Sequence, residues 1–420
     1  MIVVPTGNAD HDWDALATDH GNPGGYLNYL TTTHDRPLID PAPAALALTV
    51  GGTAGRPISR PGLREQRLGT GSDPSALTRC GPGQAGAVKP ELVADAGTLV
   101  AVDGRPSARR VVAQRVLARG PSELFAFRHG TSFAAPAVTH ALARVRHQHP
   151  DISPELARAL VLQSAEDVSL DDELPPLKPA AAERRKLPIL GYGKARPTLA
   201  ALSSDERVVL VDERPLPVDS ITIYTVPLPS VFFESGRGPR TIDLAMAFSP
   251  GTRHGRLDYL GSRLYPFLFH GVDIVVLRRI LGEATLDDLA EAQPDEDVED
   301  NAADNDAEPV SEPRTLTDLS PFRIGLWPSS PQIGPSANIV GRWRRYQALN
   351  AERGDIAHLV VRSVSRWSEK GVEDPFAVAL AVGYEGGQKA LQLHTEIEAR
   401  LDAMVELPVE LRVGGRSAPR

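Results

Sequence analysis

The stretch of this chain best suited to nucleophilic chemistry is Gly130-Thr131-Ser132-Phe133-Ala134-Ala135-Pro136. A small residue ahead of the serine permits a tight turn into a helix. The Ser132 side chain then stands at the helix N-terminus, where backbone N–H groups and the positive end of the helix dipole can meet a developing oxyanion. Pro136 fits there because the first turn has no i−4 carbonyl bonds to lose. Val138, Leu142 and Val145 follow at helical spacing. Ser153-Pro154-Glu155, a cap, a proline at the first helical position and an early acid, opens a second helix, PELARALVLQSA. By residue type alone, the run also fits a helix capped by Thr131 or Ser132, with small residues for close packing. An α/β-hydrolase elbow is disfavoured, because Gly-x-Ser-x-Gly is required and residues 130–134 end in alanine.

Further motifs lie along the first half in a consistent order. They are Ile2-Val3-Val4-Pro5-Thr6-Gly7-Asn8, Ala47-Leu48-Thr49-Val50-Gly51-Gly52, Arg79-Cys80-Gly81-Pro82-Gly83, Lys89-Pro90-Glu91-Leu92-Val93-Ala94 and Gly191-Tyr192-Gly193. With Gly130–Pro136 they resemble the subtilisin-like serine proteases (subtilases, peptidase S8) over residues 1 to about 203. The resemblance implies an α/β fold, here part of a parallel sheet with helices on its faces. It implies Ser132 as nucleophile of a serine endopeptidase acting on polypeptides. It also implies that Asn8 donates its side-chain amide to the oxyanion together with the Ser132 N–H. Without the resemblance, Gly7-Asn8 reads as an ordinary loop. Segment 9–45, rich in Asp, Gly, Thr and Pro, reads as a surface insertion.

A subtilase also needs a His and an Asp. Neither the Asp-Thr/Ser-Gly turn nor the His-Gly-Thr-x-Val-Ala helix start occurs in the chain. His129-Gly130-Thr131 is the lead-in to Ser132, and His129 reads as a packing or solvent-facing residue. No orienting carboxylate pattern singles out His11, His20 or His34 as a substitute base. The expectation is therefore a C-terminal fragment of the family, inactive as the isolated chain, with Ile2–Val4 on an uncovered sheet face. A misplaced start, a broken gene or a second polypeptide would account for it. The alternative is a non-catalytic binding or interaction protein that keeps the serine motif as a relic.

Composition bounds the remainder. The 420 residues allow two or three domains, and 41% hydrophobic residues can build their cores. No run is long and apolar enough for a membrane span, and Met1–Pro5 is no signal peptide, so a cytoplasmic location is expected. The single Cys80 excludes an intramolecular disulfide and a zinc cluster. No cofactor or metal is expected. Of the net −9, thirteen acids and no Lys or Arg fall between Glu283 and Glu312. That acidic stretch, about 283–316, reads as a solvated disordered insertion out of register for a calcium loop. Bases and aromatics are not interleaved as nucleic-acid binding would require.

Beyond residue 203 the pattern turns extended. Val208–Val211, Ile221–Val226, Thr241–Phe248, His358–Val364, Phe376–Val382 and Leu391–Ile397 read as strands bounded by turn residues. So many strands point to an antiparallel β-sandwich over 204–415, resembling the jelly-roll-like domains that follow subtilase catalytic domains. Trp343 and Trp367 read as core or rim packing. Phe248–Gly261 and the closing strands are similar to a bacterial subtilase group encoded beside an AAA-type ATPase, which implies that ATPase as a partner.

Overall fold

The computed structural model describes residues 1–9, 26–27, 30, 36–59, 62, 64–103, 105–118, 123–168, 170, 179–200, 203–204, 206–236, 238–283, 313–328, 334–385, 393–404 and 412–413. The chain is a mixed α/β protein of two compact units, Met1–Asp151 with Ser164–Ala200, and Ile152–Gln163 with Ala201–Arg420.

The first unit is built around one strand. β1 (Val3–Pro5) and β2 (Leu48–Gly55) run parallel, with Val3 opposite Leu48, and the later Leu92–Asp95 strand lies parallel on the other edge of β2. Gly71–Pro74 joins antiparallel at the far end of β2. All eight residues of β2 are buried, as a parallel strand covered on both faces must be. Its small residues follow from that position. A Cβ on Gly51 would meet Pro90, Val93 and the Ile189 carbonyl, whereas one on Gly52 would meet Ala96, Thr131 and Ser75. Successive residues thus face opposite layers. Numbered in chain order, β3 is Glu65–Arg67, β4 Gly71–Pro74, β5 Leu92–Asp95, β6 Val100–Val102, β7 Arg105–Ser107, β8 Gln114–Leu117 and β9 Phe125–Arg128. Strands β3, β6 and β7 form a small antiparallel sheet, and β8–β9 is a hairpin.

The helix after the serine is α1 (Ala135–Gln148), with Ala135, Val138, Ala141, Leu142 and Val145 buried against β1, β2 and β5. Two expectations for the N-terminal region change. Val4 is buried with Leu38, Ala42 and Ala47, so β1 has a covering layer on one side, while Ile2 stays 66% exposed. Segment 9–45 is not purely surface. Tyr26, Leu27 and Leu30 enter a core cluster with Val93, Ile189 and Leu190, and the Tyr26 hydroxyl donates to the Pro74 carbonyl at 3.2 Å.

Helix α2 (Pro154–Gln163) belongs to the second unit, where it packs on the strands Arg240–Phe248 and Glu373–Tyr384. Helix α3 (Pro179–Leu190) returns to the first. The second unit contains β10 (Arg207–Pro217), β11 (Ile221–Pro227), β12 (Arg240–Phe248), β13 (Ser262–His270), β14 (Arg323–Ile324), β15 (Asn338–Arg345), β16 (Ile356–Ser365), β17 (Glu373–Tyr384) and β18 (Arg412–Val413). They form two antiparallel sheets, ordered β15-β12-β17-β10-β18 and β11-β16-β13-β14. From β10 to β13 the chain changes sheet at every step. Strand β14 stays with β13, and β15, β16 and β17 alternate again. Helix α4 (Ile274–Glu283) buries Val276, Leu277, Ile280 and Leu281 with Ile223, Phe267, Phe269 and Val360 of the second sheet. Trp343 is in the core, edge-on to Phe232, and Trp367 is half-buried under Arg253.

One strand expectation is overturned. Leu391–Ile397 was expected extended, but Leu393–Met404 is a helix, α5, because Leu393 and Ile397, one turn apart, are the buried pair. The acidic stretch, residues 284–312, lies outside the described residues. Among the described residues no helix is long and apolar enough to cross a membrane, and no cluster of His, Cys, Asp and Glu could hold a metal ion.

Two predictions follow from burial. Lys89 and Glu91 form an ion pair at 2.5 Å with both side chains 2% exposed. Glu91→Gln removes the counter-charge at 2.5 Å from the buried ammonium, and chemical denaturation is expected to register a loss of about 3–5 kcal/mol. Burial pushes the Cys80 thiol up to about 12. At neutral pH it holds almost no thiolate, so iodoacetamide alkylates Cys80 only after denaturant is added. Rapid alkylation of the native chain would contradict the described packing.

Candidate active site

Strand β9 leads through His129 into the turn that carries the serine. Gly130 adopts φ 135°, a conformation that L side chains rarely take, and its N–H donates to the Ala96 carbonyl at 2.9 Å. Thr131–Phe133 is a single 3₁₀ turn ahead of α1, closed by Phe133 N–H to the Gly130 carbonyl and Ala134 N–H to the Thr131 carbonyl. Thr131 is fully buried and Ser132 is exposed. Pro136 stands exposed in the first turn of α1, where its missing N–H costs nothing.

Asn8, on the loop after β1, reaches this turn across 123 residues of sequence. Its Oδ1 accepts from the Thr131 N–H at 2.9 Å and from Thr131 Oγ1 at 3.3 Å. With the oxygen committed, the orientation of the amide is fixed and Nδ2 is turned away from Thr131. Among the described residues, Asn8 Nδ2 and the Ser132 N–H donate to no protein acceptor, and Ser132 Oγ makes no hydrogen bond. The structure therefore brings Asn8, Gly130 and Thr131 together, with the exposed Ser132 next in the same turn.

Arg79 holds the Asn8 backbone, a role that the sequence did not signal. Its Nε donates to the Asn8 carbonyl at 2.9 Å and its Nη1 to the Pro37 carbonyl at 3.0 Å. The Ala9 N–H donates to the Leu77 carbonyl at 2.9 Å, and the Gly52 N–H donates to Thr78 Oγ1 at 3.1 Å. The Ser75–Cys80 turn thus braces the Asn8 loop against β2.

His129 has its Nε2 on the Arg109 carbonyl at 2.9 Å. A carbonyl only accepts, so Nε2 carries the proton, and burial lowers the imidazole pKa below its ordinary value. His129 is thereby a neutral strut between two loops. His11, His20 and His34 lie outside the described residues.

Residues 1–193 match the subtilase family. Through this segment, a little under half of its length, the chain is similar to that family of serine peptidases. Among curated proteins, the uncharacterized protein y4bN of Sinorhizobium fredii (strain NBRC 101917 / NGR234) is 33% identical over 249 residues, which cover 56% of this chain and 56% of that protein. The matched region thus spans a little over half the length of this relative.

The Gly130 geometry yields a prediction. A Cβ there would lie 2.8 Å from Asn8 Nδ2 and 3.1 Å from Asn8 Oδ1. Gly130→Ala must either strain the turn or displace the amide, and a stability loss of about 1–3 kcal/mol is expected. Thermal unfolding of the variant against the parent measures it; an unchanged midpoint would show that the turn relaxes freely.

Proposed function

We propose that this protein is a serine-type endopeptidase in which Ser132 attacks the scissile carbonyl of a polypeptide. The observation that supports this is the Asn8 amide, its Nδ2 uncommitted, held by Thr131 one residue before an exposed serine whose N–H is also uncommitted. Attack forms a bond from Oγ to the carbonyl carbon and moves the carbonyl π electrons onto oxygen. Two fixed donors then meet that charge without reorganising, with the α1 dipole behind them. Collapse of the tetrahedral intermediate expels the amine and leaves an acyl-enzyme, which water hydrolyses by the same route.

The serine proton needs a base. His129 is occupied by Arg109, and the sequence lacks both family motifs that carry the His and the Asp. The proposal therefore assigns base and orienting carboxylate to residues outside this sequence. Loss of the histidine in subtilisin itself costs on the order of a millionfold in turnover, and the same scale is expected for this chain alone. In the second unit, the alternation of the chain between two antiparallel sheets supports a jelly-roll-like sandwich as the accompanying domain. The competing reading is a non-catalytic interaction protein, favoured by the absence of a placed base for Ser132 among the described residues.

A fluorophosphonate probe separates the two. It is expected to label Ser132 when the in-frame upstream extension, or a second chain, supplies the Asp-x-Gly and His-Gly-Thr motifs, and to label this chain alone far more slowly. In the completed form Asn8→Leu is expected to lower turnover about 10²–10³-fold, the magnitude known for one oxyanion donor in subtilisin itself. Absence of labelling in every form, with soluble and folded protein, favours the interaction protein.

A further inference from the structure

The hairpin that delivers Ser132 has a surface that the reaction does not account for. Residues 105–128 contain six arginines and one acid, Glu123. In the hairpin, Arg115 lies opposite Phe127 and Leu117 opposite Phe125, so these four side chains share one face. Arg110 stacks on the Phe127 ring at 3.9 Å and Arg115 on the Phe125 ring at 5.0 Å. Arg109 has Glu65 at 3.6 Å, and Arg128 donates to its neighbouring carbonyl of Phe127. Among the described residues, Arg110 and Arg115 have no carboxylate partner. The apolar members are left in solvent: Leu117 is 83% exposed, Leu124 78% and Phe125 45%.

A guanidinium stacked on an aromatic ring has its plane fixed and its N–H edge free, a pre-organised fork for a carboxylate. Apolar side chains between the forks add contact area for the neighbours of that carboxylate. Phe127 lies five residues before Ser132, so even a fully extended chain keeps them within about 18 Å, the length of a few substrate residues. The geometry points to the β8–β9 hairpin, through Arg110 and Arg115, as a specificity determinant that engages acidic side chains of the polypeptide substrate. This assignment rests on the peptidase reading of Ser132, and it deepens that reading by naming an acidic substrate segment with interspersed apolar residues.

Ser132→Ala in the full chain lets binding be read without turnover. The ligands are a fluorescein-labelled peptide of alternating Glu and Phe and its Gln/Phe counterpart, followed by fluorescence anisotropy. At low salt the Glu peptide is expected to bind about three- to thirtyfold tighter, the range for two partly exposed ion pairs. Added salt shrinks the preference, because such pairs are screened. Arg110→Gln combined with Arg115→Gln is expected to bring the two peptides within about twofold, whereas the two Lys replacements keep part of the preference. Should the double variant unfold by circular dichroism, Arg115→Gln alone serves. Equal affinity for the two peptides, or a preference that survives loss of both guanidiniums, overturns the assignment. Fluorophosphonate labelling of Ser132 does not require the Arg110 and Arg115 side chains. Charge-selective binding without labelling would sink the peptidase reading alone, and labelling without selectivity would sink the hairpin alone.

Discussion

The first unit depends on a buried pair of opposite charges at the foot of its central strand. Lys89 Nζ donates to Glu91 and to the Ala47 carbonyl, and Glu91 Oε2 accepts from the Thr49 N–H. Neither ion can be left alone in that interior without a cost of several kcal/mol, so the four groups stay together or the region opens. The arrangement pins residues 47–49, which set the start of β2 and hence its register with β1 and β5. Gly52, four residues beyond Leu48, then supplies the flat surface on which Thr131 rests. A constraint made by two charges far from the serine is thus transmitted to it through one strand.

The serine turn shows the same economy of means. Thr131 is buried so that its N–H and hydroxyl both point at Asn8 Oδ1, and this spends the oxygen of the amide rather than its nitrogen. The next residue is exposed and its N–H is unspent. Adjacent residues of one turn therefore differ in role, one orienting the asparagine and the next left open to solvent. Glycine at 130 is what lets the two halves approach, since any side chain there would occupy the space of the amide.

How much of this was legible in the sequence follows from how local each demand is. Gly130–Pro136 announces its turn because the glycine, the small residues and the proline answer backbone requirements within seven positions. Thr241–Phe248 declares its strand because Ile242, Leu244, Met246 and Phe248 alternate, and all four are buried. Leu391–Ile397 misleads because residues four apart satisfy both a period of two and a helical turn; only the packing of Leu393 and Ile397 decides. The strands β13 and β15 escape notice because Pro266 interrupts one and arginines fill the other. Tyr26, Leu27 and Leu30 look like surface amid polar neighbours, and their burial depends on Ile189 and Leu190, some 160 residues away. The Asn8–Thr131 contact joins positions 123 apart, and no local pattern can state it without the family resemblance.

Helix α2 carries a consequence for how such a protein can be assembled over evolutionary time. The segment that contains it, Ile152–Gln163, serves the second unit, yet the chain on either side of that segment belongs to the first. The polypeptide changes unit after residues 151, 163 and 200. The all-buried face of α2 covers β12 and β17, and its Arg158 and Glu155 tie to Ser249 at the end of β12. A gene cut at one junction therefore cannot yield two whole parts: whichever half departs, the second sheet system loses its cover or the first loses its continuity. The units are interleaved along the chain rather than strung together, so a single crossover point does not exchange one of them intact.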